Sequence, residues 1–314
     1  MTDRYGRTIK YLRLSVTDRC NLRCIYCMKE DGVCKRAHSD ILSIEELTEI
    51  AQAAYRLGIR KIRLTGGEPL VRKGILTLCE NIKAIDPAIE LDMTTNGTLL
   101  KAFAAPLRQA GVDRLNISID TLDPETYRSI TRRGDIRDVL EGISAAADAG
   151  FSQIKINSVL IGGINDNEIL DLMELARDSE LNVRFIELMP MDIMRGWDQS
   201  RFLSAEIVEQ HLNPNCFIGY DGVARIYRPN GYTGTVGIIS PLSHSFCDRC
   251  NKIRVTSDGK LKPCLHSGEE IDLRGLHGDD LLSAIQKGVN SKPQCHRLGE
   301  FHSESARDMN QIGG

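Results

Sequence analysis

No apolar run in this chain of 314 residues approaches the roughly 18 that a membrane helix requires. The first 23 residues are interrupted by Asp3, Arg4, Arg7, Lys10 and Arg13, so they hold no signal-peptide apolar core. A formal net charge of −3 leaves no global basic field for nucleic acid or an anionic membrane. Low-complexity segments and additional tandem repeats are also missing. Without an export signal, ten cysteines argue for reduced thiols and metal binding rather than disulfides. The expectation is a cytoplasmic enzyme with neither a nucleic acid nor a membrane as partner. The chain is long enough for a large core, as one barrel or a barrel with an appendage.

What is present is an alternation of short β-rich runs with longer amphipathic ones. Strands are expected at 9–16, 61–64, 89–93, 114–119, 153–160 and 182–187. Helical patterns lie at 43–57, 73–85, 98–110, 135–149, 165–178 and 204–212. In the first, Ser43 as N-cap and Glu46 at N3 form a capping box, and Leu47, Ile50, Ala51, Ala54 and Leu57 recur at helical spacing. Six strand–helix pairs imply a mainly parallel sheet with right-handed crossovers. After about Asn213, Gly, Pro and Asn become frequent, helices thin out and three cysteines cluster. The fold expected is α/β, a partial (β/α)6 TIM-like barrel over 1–212 with a smaller C-terminal α+β module over 213–314.

Unusual residues collect where these strands end. Cys20, Cys24 and Cys27 follow the first, Thr65-Gly66-Gly67-Glu68-Pro69 the second and Thr94-Thr95-Asn96-Gly97 the third. Ser118 and Asp120 come near the end of the fourth. Lys155 is on the fifth, and the sixth closes on Glu187-Leu188-Met189-Pro190. In parallel barrels functional groups gather at the carboxyl ends of strands. Taken singly these residues have plainer uses, as turn glycines, helix caps or a snorkelling lysine.

Three thiolates at the spacing Cys20, Cys24, Cys27 can hold three corners of a 4Fe–4S cube and leave one iron open to substrate. A zinc knuckle is the alternative, with Cys34 and His38 as the nearby candidates for a fourth ligand. A second triad, Cys247, Cys250 and Cys264, poses the same choice, with His266 available to complete a zinc site.

The first triad, with Tyr26 before its last cysteine, resembles the signature of the radical S-adenosylmethionine (SAM) enzymes. That resemblance implies that the open iron chelates the methionine end of SAM. Reductive cleavage of a carbon–sulfur bond would then release a 5′-deoxyadenosyl radical. Gly66-Gly67-Glu68-Pro69 is similar to the family's loop beside the SAM ammonium, and Met189 resembles the residue packed on adenine. Nearly the whole chain resembles the GTP 3′,8-cyclases of molybdenum cofactor biosynthesis. The likeness rests on residues 11–20 and 62–69, Lys155-Ile156-Asn157, the two triads and the terminal Gly313-Gly314.

This resemblance implies two 4Fe–4S clusters and SAM as cofactors, with GTP as substrate. Tyr26, Gly67, Glu68, Ser118 and Met189 would serve SAM. Arg13, Arg63, Thr94, Lys155 and the segment Lys252, Ile253, Arg254 would contact GTP, and Gly313 and Gly314 would enter the pocket as a working tail. Lys252 stands where relatives commonly carry arginine, which keeps the charge but loses the two-pronged fork. The expected partners are a low-potential electron donor and, downstream, the cyclic pyranopterin monophosphate synthase; a homodimer is left open. Two other classes stand beside this reading: a peptide-modifying radical SAM enzyme with an auxiliary cluster, and a zinc-binding interaction protein. No role follows from sequence for Cys34, Cys79, Cys216 or Cys295.

Overall fold

The computed structural model describes residues 1–33, 37, 40–191, 199–298 and 303–313. Six parallel strands run side by side in chain order: β1 (Tyr11–Ser15), β2 (Lys61–Thr65), β3 (Glu90–Thr95), β4 (Arg114–Ser118), β5 (Ile154–Leu160) and β6 (Asn182–Glu187). Their alternation sets the architecture. Leu12 and Leu14, Ile62 and Leu64, Leu91 and Met93, and Leu115 and Ile117 enter one continuous apolar core. The residues of opposite parity are Tyr11, Arg13, Arg63, Asp92, Asn116, Lys155 and Arg184. A parallel sheet buried in apolar surroundings on both faces reads as an unbroken hydrophobic run; here one face of the sheet is reserved for polar side chains.

Helices cover the other face. Between β1 and β2, α1 (Ile44–Arg56) starts at Ser43, whose hydroxyl accepts from Glu46 N at 3.1 Å while Ser43 N donates to Glu46 Oε2 at 2.7 Å. Such a cap stabilises a helix by about 1 kcal/mol. It fixes where the chain turns back onto the sheet, so that Leu47, Ile50, Ala51 and Ala54 are buried. Next come α2 (Ile75–Ile85), α3 (Leu100–Gln109), α4 (Pro124–Thr131) and α5 (Ile136–Asp148). The Asp123-Pro124 start of α4 is a readable N-terminus that the hydrophobic period did not reveal: Asp123 caps Thr126 N and Pro occupies N1.

Two expected helices are shorter than their periodicity suggested. Over 165–178 the chain forms a 3-10 turn, Asp166–Glu168, and then only α6 (Ile169–Glu174). Asn165 is diverted into loop bonds to Ile161 N, Asp120 O and Val159 O, and Glu168 into bonds with Thr121 and Leu122. Over 204–212 only α7 (Glu206–Glu209) forms.

The C-terminal residues supply β7 (Phe217–Asp221), β8 (Ala224–Tyr227), β9 (Thr235–Ile239), β10 (Lys252–Val255), β11 (Lys260–Lys262) and β12 (Ile271–Asp272), then α8 (Gly278–Asn290) and α9 (Met309–Ile312). Their strands do not make a sheet of their own. β9 pairs parallel with β6 and β10 pairs parallel with β1, giving one sheet ordered β12-β11-β10-β1-β2-β3-β4-β5-β6-β9-β8-β7. The strands after Asn213 thus extend the barrel at both edges. Among the described residues no helix is long and apolar enough to cross a membrane.

Candidate active site

A cavity of about 320 Å³ opens on the polar face of the sheet, and all six triad cysteines border it. None of the six is in a disulfide. The first triad follows β1 in a turn where Cys27 N donates to Cys24 O at 2.9 Å. The loop is pinned to the end of β3: Asn96 Nδ2 donates to Asn21 Oδ1 at 2.8 Å, and Asn21 Nδ2 to Thr98 Oγ1 at 2.8 Å. Burial pushes the Cys20 thiol up to about 11 and Cys27 up to about 12, and raises Cys24 as well. The second triad has a different setting. Burial alone would raise the Cys247 thiol, but hydrogen bonds from His296 and Ser245 outweigh it and bring it down to about 7. At Cys250, burial is outweighed by the ammonium groups of Lys292 and Lys252, and its pKa is lowered. Lys292 is itself held by Lys252 O at 2.9 Å and Pro263 O at 2.8 Å.

Gly66 and Gly67 line the cavity, but their packing is set from behind. A Cβ at 66 would sit 2.4 Å from Thr17 O, and one at 67 would sit 2.3 Å from Arg19 O. Only glycine lets these two loops touch, with Gly67 N donating to Thr17 O and Glu68 N to Arg19 O, both at 2.8 Å. Glu68, expected beside SAM, packs behind this wall. It is wholly buried and off the cavity wall, and its carboxylate accepts from Leu70 N at 3.0 Å, Thr95 Oγ1 at 2.8 Å and Asn96 N at 2.7 Å. It ties the β2 and β3 loops together, and burial raises its pKa to about 7. Tyr26, Ser118 and Met189 do line the cavity. The Tyr26 hydroxyl donates to Asp120 Oδ2 at 2.6 Å; Asp120, also on the wall, has its pKa raised by burial to about 6.

Of the residues expected to meet GTP, Arg13, Thr94, Lys252 and Arg254 line the same cavity. Burial, with Arg254 adding like charge, lowers Arg13 to about 9, still cationic at neutral pH. Burial also lowers Lys252 to about 7, with Arg13 and Arg254 contributing. Ile253, expected beside Lys252 and Arg254 at GTP, points its side chain elsewhere. Strand alternation turns it to the opposite face, where it is 0% exposed in the apolar core. Arg63 and Lys155 lie on the sheet's polar face but outside the residues lining the cavity. Arg63 Nη2 is 2.6 Å from Asp92 Oδ2, and Lys155 Nζ is 2.6 Å from Asp221 Oδ2. Two cations escaped the sequence reading: Lys61 shares Asp92 at 2.7 Å, and Arg184 shares Asp221. Arg184 has the same inward parity as Asn157 on β5, which was its readable signal.

The tail is docked, not frayed. α9 brings Met309 to the cavity wall; Asn310, 1% exposed, donates from Nδ2 to Asp18 O at 3.0 Å, and Ile312 is 0% exposed. Gly313 has φ +81°, and its carbonyl accepts from Arg254 Nη1 at 2.8 Å. Gly314, Cys34 and His38 lie outside the described residues. Cys79 and Cys216 are buried away from the site, and Cys295 is exposed.

Residues 14–176 match the radical SAM superfamily, and residues 181–298 match Molybdenum Cofactor Synthesis C. A GTP 3′,8-cyclase of Alkaliphilus metalliredigens is 48% identical over 320 residues, covering 100% of both chains. The chain belongs to the GTP 3′,8-cyclase family. Another cyclase of this family, from Geobacter sulfurreducens, is 48% identical over 324 residues, covering 100% of this chain and 99% of its own. Among solved structures, Streptococcus suis SuiB bound to precursor peptide SuiA superposes with a TM-score of 0.64 at 15% identity, over 98% of this chain and 76% of that one. That likeness is one of fold. The peptide-modifier reading therefore keeps the barrel, while the sequence relatives take the chain to the cyclases. Radical SAM chemistry makes 4Fe–4S clusters and SAM the cofactors of this family. The donor set fits them: two sets of three free thiols on one cavity, with Thr94 Oγ1 and Asn157 Oδ1 on its wall buried without a partner among the described residues.

Proposed function

We propose that this chain converts GTP into (8S)-3′,8-cyclo-7,8-dihydroguanosine 5′-triphosphate, the first step of molybdenum cofactor biosynthesis. The observation that carries the reading is that both cysteine triads open onto one cavity whose polar face continues into buried arginines and lysines. Cys20, Cys24 and Cys27 would hold one 4Fe–4S cluster, which would supply the electron for SAM cleavage, and Cys247, Cys250 and Cys264 would hold a second, which would supply a Lewis-acidic iron for the guanine base. The protein's part is to hold and orient. Tyr26, fixed by Asp120, stands with Gly67, Ser118 and Met189 around SAM; Glu68 keeps their loops in place from behind. Arg13, Thr94, Lys252 and Arg254 receive the nucleotide, while Arg63 and Lys155 extend the cationic surface for the triphosphate. Gly313 closes the pocket as part of a narrow backbone tail, and Gly314 after it is needed for turnover.

Residues 1–212 form the SAM half of this machine and residues 213–314 the half that carries the second cluster. We place the reaction in the cytoplasm, where thiol ligands stay reduced, with a low-potential donor upstream and cyclic pyranopterin monophosphate synthase downstream. A homodimer is compatible with this reading. The test is anaerobic incubation with SAM, GTP and reductant, followed by identification of the nucleotide product. GTP recovered unchanged while SAM is cleaved would sink the assignment.

Arg63→Ala separates substrate binding from assembly. Asp92 keeps Lys61 at 2.7 Å when Arg63 is gone, so the barrel retains a counter-ion there. Losing one charge-assisted bond should weaken GTP binding by about 1.5–3 kcal/mol, read by calorimetry, with iron at the first triad unchanged. Loss of that iron together with GTP binding would make Arg63 a structural residue.

A further inference from the structure

Two carboxylates neutralise the cations deep on the polar face, and they are built differently. Asp92 lies within β3, its side chain 0% exposed between Lys61 and Arg63, and cannot leave without its strand. Asp221 is the last residue of β7, at a hairpin tip followed by Gly222 at φ +63°. Its side chain is 49% exposed, whereas the two cations that share its Oδ2, Lys155 and Arg184, are each 8% exposed. β7 is the outermost strand of its side of the sheet, hydrogen-bonded among the described residues to β8 alone, so its end can withdraw without disturbing a second strand. The tip also reaches the active site. Val223 lines the cavity, and the Tyr220 ring lies 4.3 Å from the guanidinium of Arg249, between Cys247 and Cys250.

We propose that Asp221 is a displaceable counter-anion, which holds Lys155 and Arg184 when no nucleotide is bound and is exchanged for phosphate oxygens when GTP enters. The inference rests on the reading that Lys155 serves the triphosphate. Two buried cations without an anion are costly. A carboxylate fixed among them would compete permanently with substrate; one carried on an edge hairpin keeps the cations oriented and can still withdraw. The exchange keeps the pair neutralised throughout, so the cationic surface never collapses or repels itself. Arrival of the phosphates is thereby coupled to movement of Val223 and Tyr220 beside the second triad.

The experiment measures dissociation constants on anaerobic, cluster-loaded protein with three probes: GTP, inorganic tripolyphosphate and guanosine. Asp221→Asn removes the charge and keeps the shape, so GTP and tripolyphosphate should bind roughly tenfold tighter or more, the order expected for one close charge pair. Guanosine affinity should not move. Asp221→Glu should return binding toward wild type. In wild-type protein, tripolyphosphate should also speed hydrogen exchange at residues 219–224. GTP binding that is unchanged or weaker in Asp221→Asn, at an unchanged melting temperature, would overturn the proposal. Lys155→Ala reports separately on the underlying reading: if it leaves tripolyphosphate affinity unchanged, the phosphate assignment itself fails, whatever Asp221 does.

Discussion

Protein in which Cys20, Cys24 and Cys27 are all replaced by alanine should bind GTP as the wild type does and make no cyclised product. The three thiols line one cavity with Cys247, Cys250 and Cys264, yet the two triads are held by different parts of the chain. The first depends on Asn21, Asn96 and the loop between β1 and α1; the second depends on Lys292, His296 and the strands that follow. Alanine at the first triad therefore leaves the second intact. Anaerobically prepared variant should retain iron and sulfide for one cluster, show GTP binding, and yield neither methionine nor 5′-deoxyadenosine from SAM. The decisive readouts are metal content and SAM cleavage. Zinc at Cys247, Cys250 and Cys264 in anaerobic wild-type protein would overturn the second half of the assignment.

Gly313→Ala should reduce turnover by orders of magnitude while barely moving the melting temperature. Two independent features forbid a side chain there. The backbone is left-handed at φ +81°, and a Cβ would lie 2.3 Å from Thr65 Oγ1 and 2.9 Å from Ser15 Cβ. Both neighbours are buried on central strands and have nowhere to go. The tail must then lift, and Arg254 loses the Gly313 carbonyl. α9 stays docked through buried Ile312 and the Asn310 bond to Asp18 O while the residue after it lifts, so global stability changes little. Deleting Gly313 and Gly314 should have the same outcome, with GTP binding and iron content preserved. A short peptide ending in Gly-Gly should restore part of the activity to the truncated protein, at the entropic cost of an intermolecular contact. Full turnover by Gly313→Ala would show that the tail only rests against the site.

The local parts of this architecture could be read in the sequence because each is specified within a few residues. Ser43 and Glu46 announce α1 by themselves, the alternation within β1 to β6 marks the strands, and the cysteine spacings mark both triads. What could not be read depends on partners far along the chain. Nothing in Lys252–Val255 or Thr235–Ile239 says that these strands join β1 and β6, since register is a property of the pair. Glu68 looked like a ligand because its motif is local, whereas the three donors that occupy it come partly from the next strand's loop. Ile253 could have been set aside by parity alone: neighbours in a strand face opposite sides, so Lys252 and Arg254 cannot share a wall with it.

The pairing of β1 with β10 also sets a clock for synthesis. Tyr11 must wait for Lys252, and at about 5–20 residues per second that interval is roughly 12 to 48 s. Throughout it, the edge of β1 that β10 will cover stays unpaired, and for most of it Cys20, Cys24 and Cys27 have been synthesised. The far wall of their cavity, from Pro263 to Met309, comes later still. The nascent chain thus presents three closely spaced thiols to the cell's free metal pool before the enclosure that shields them exists.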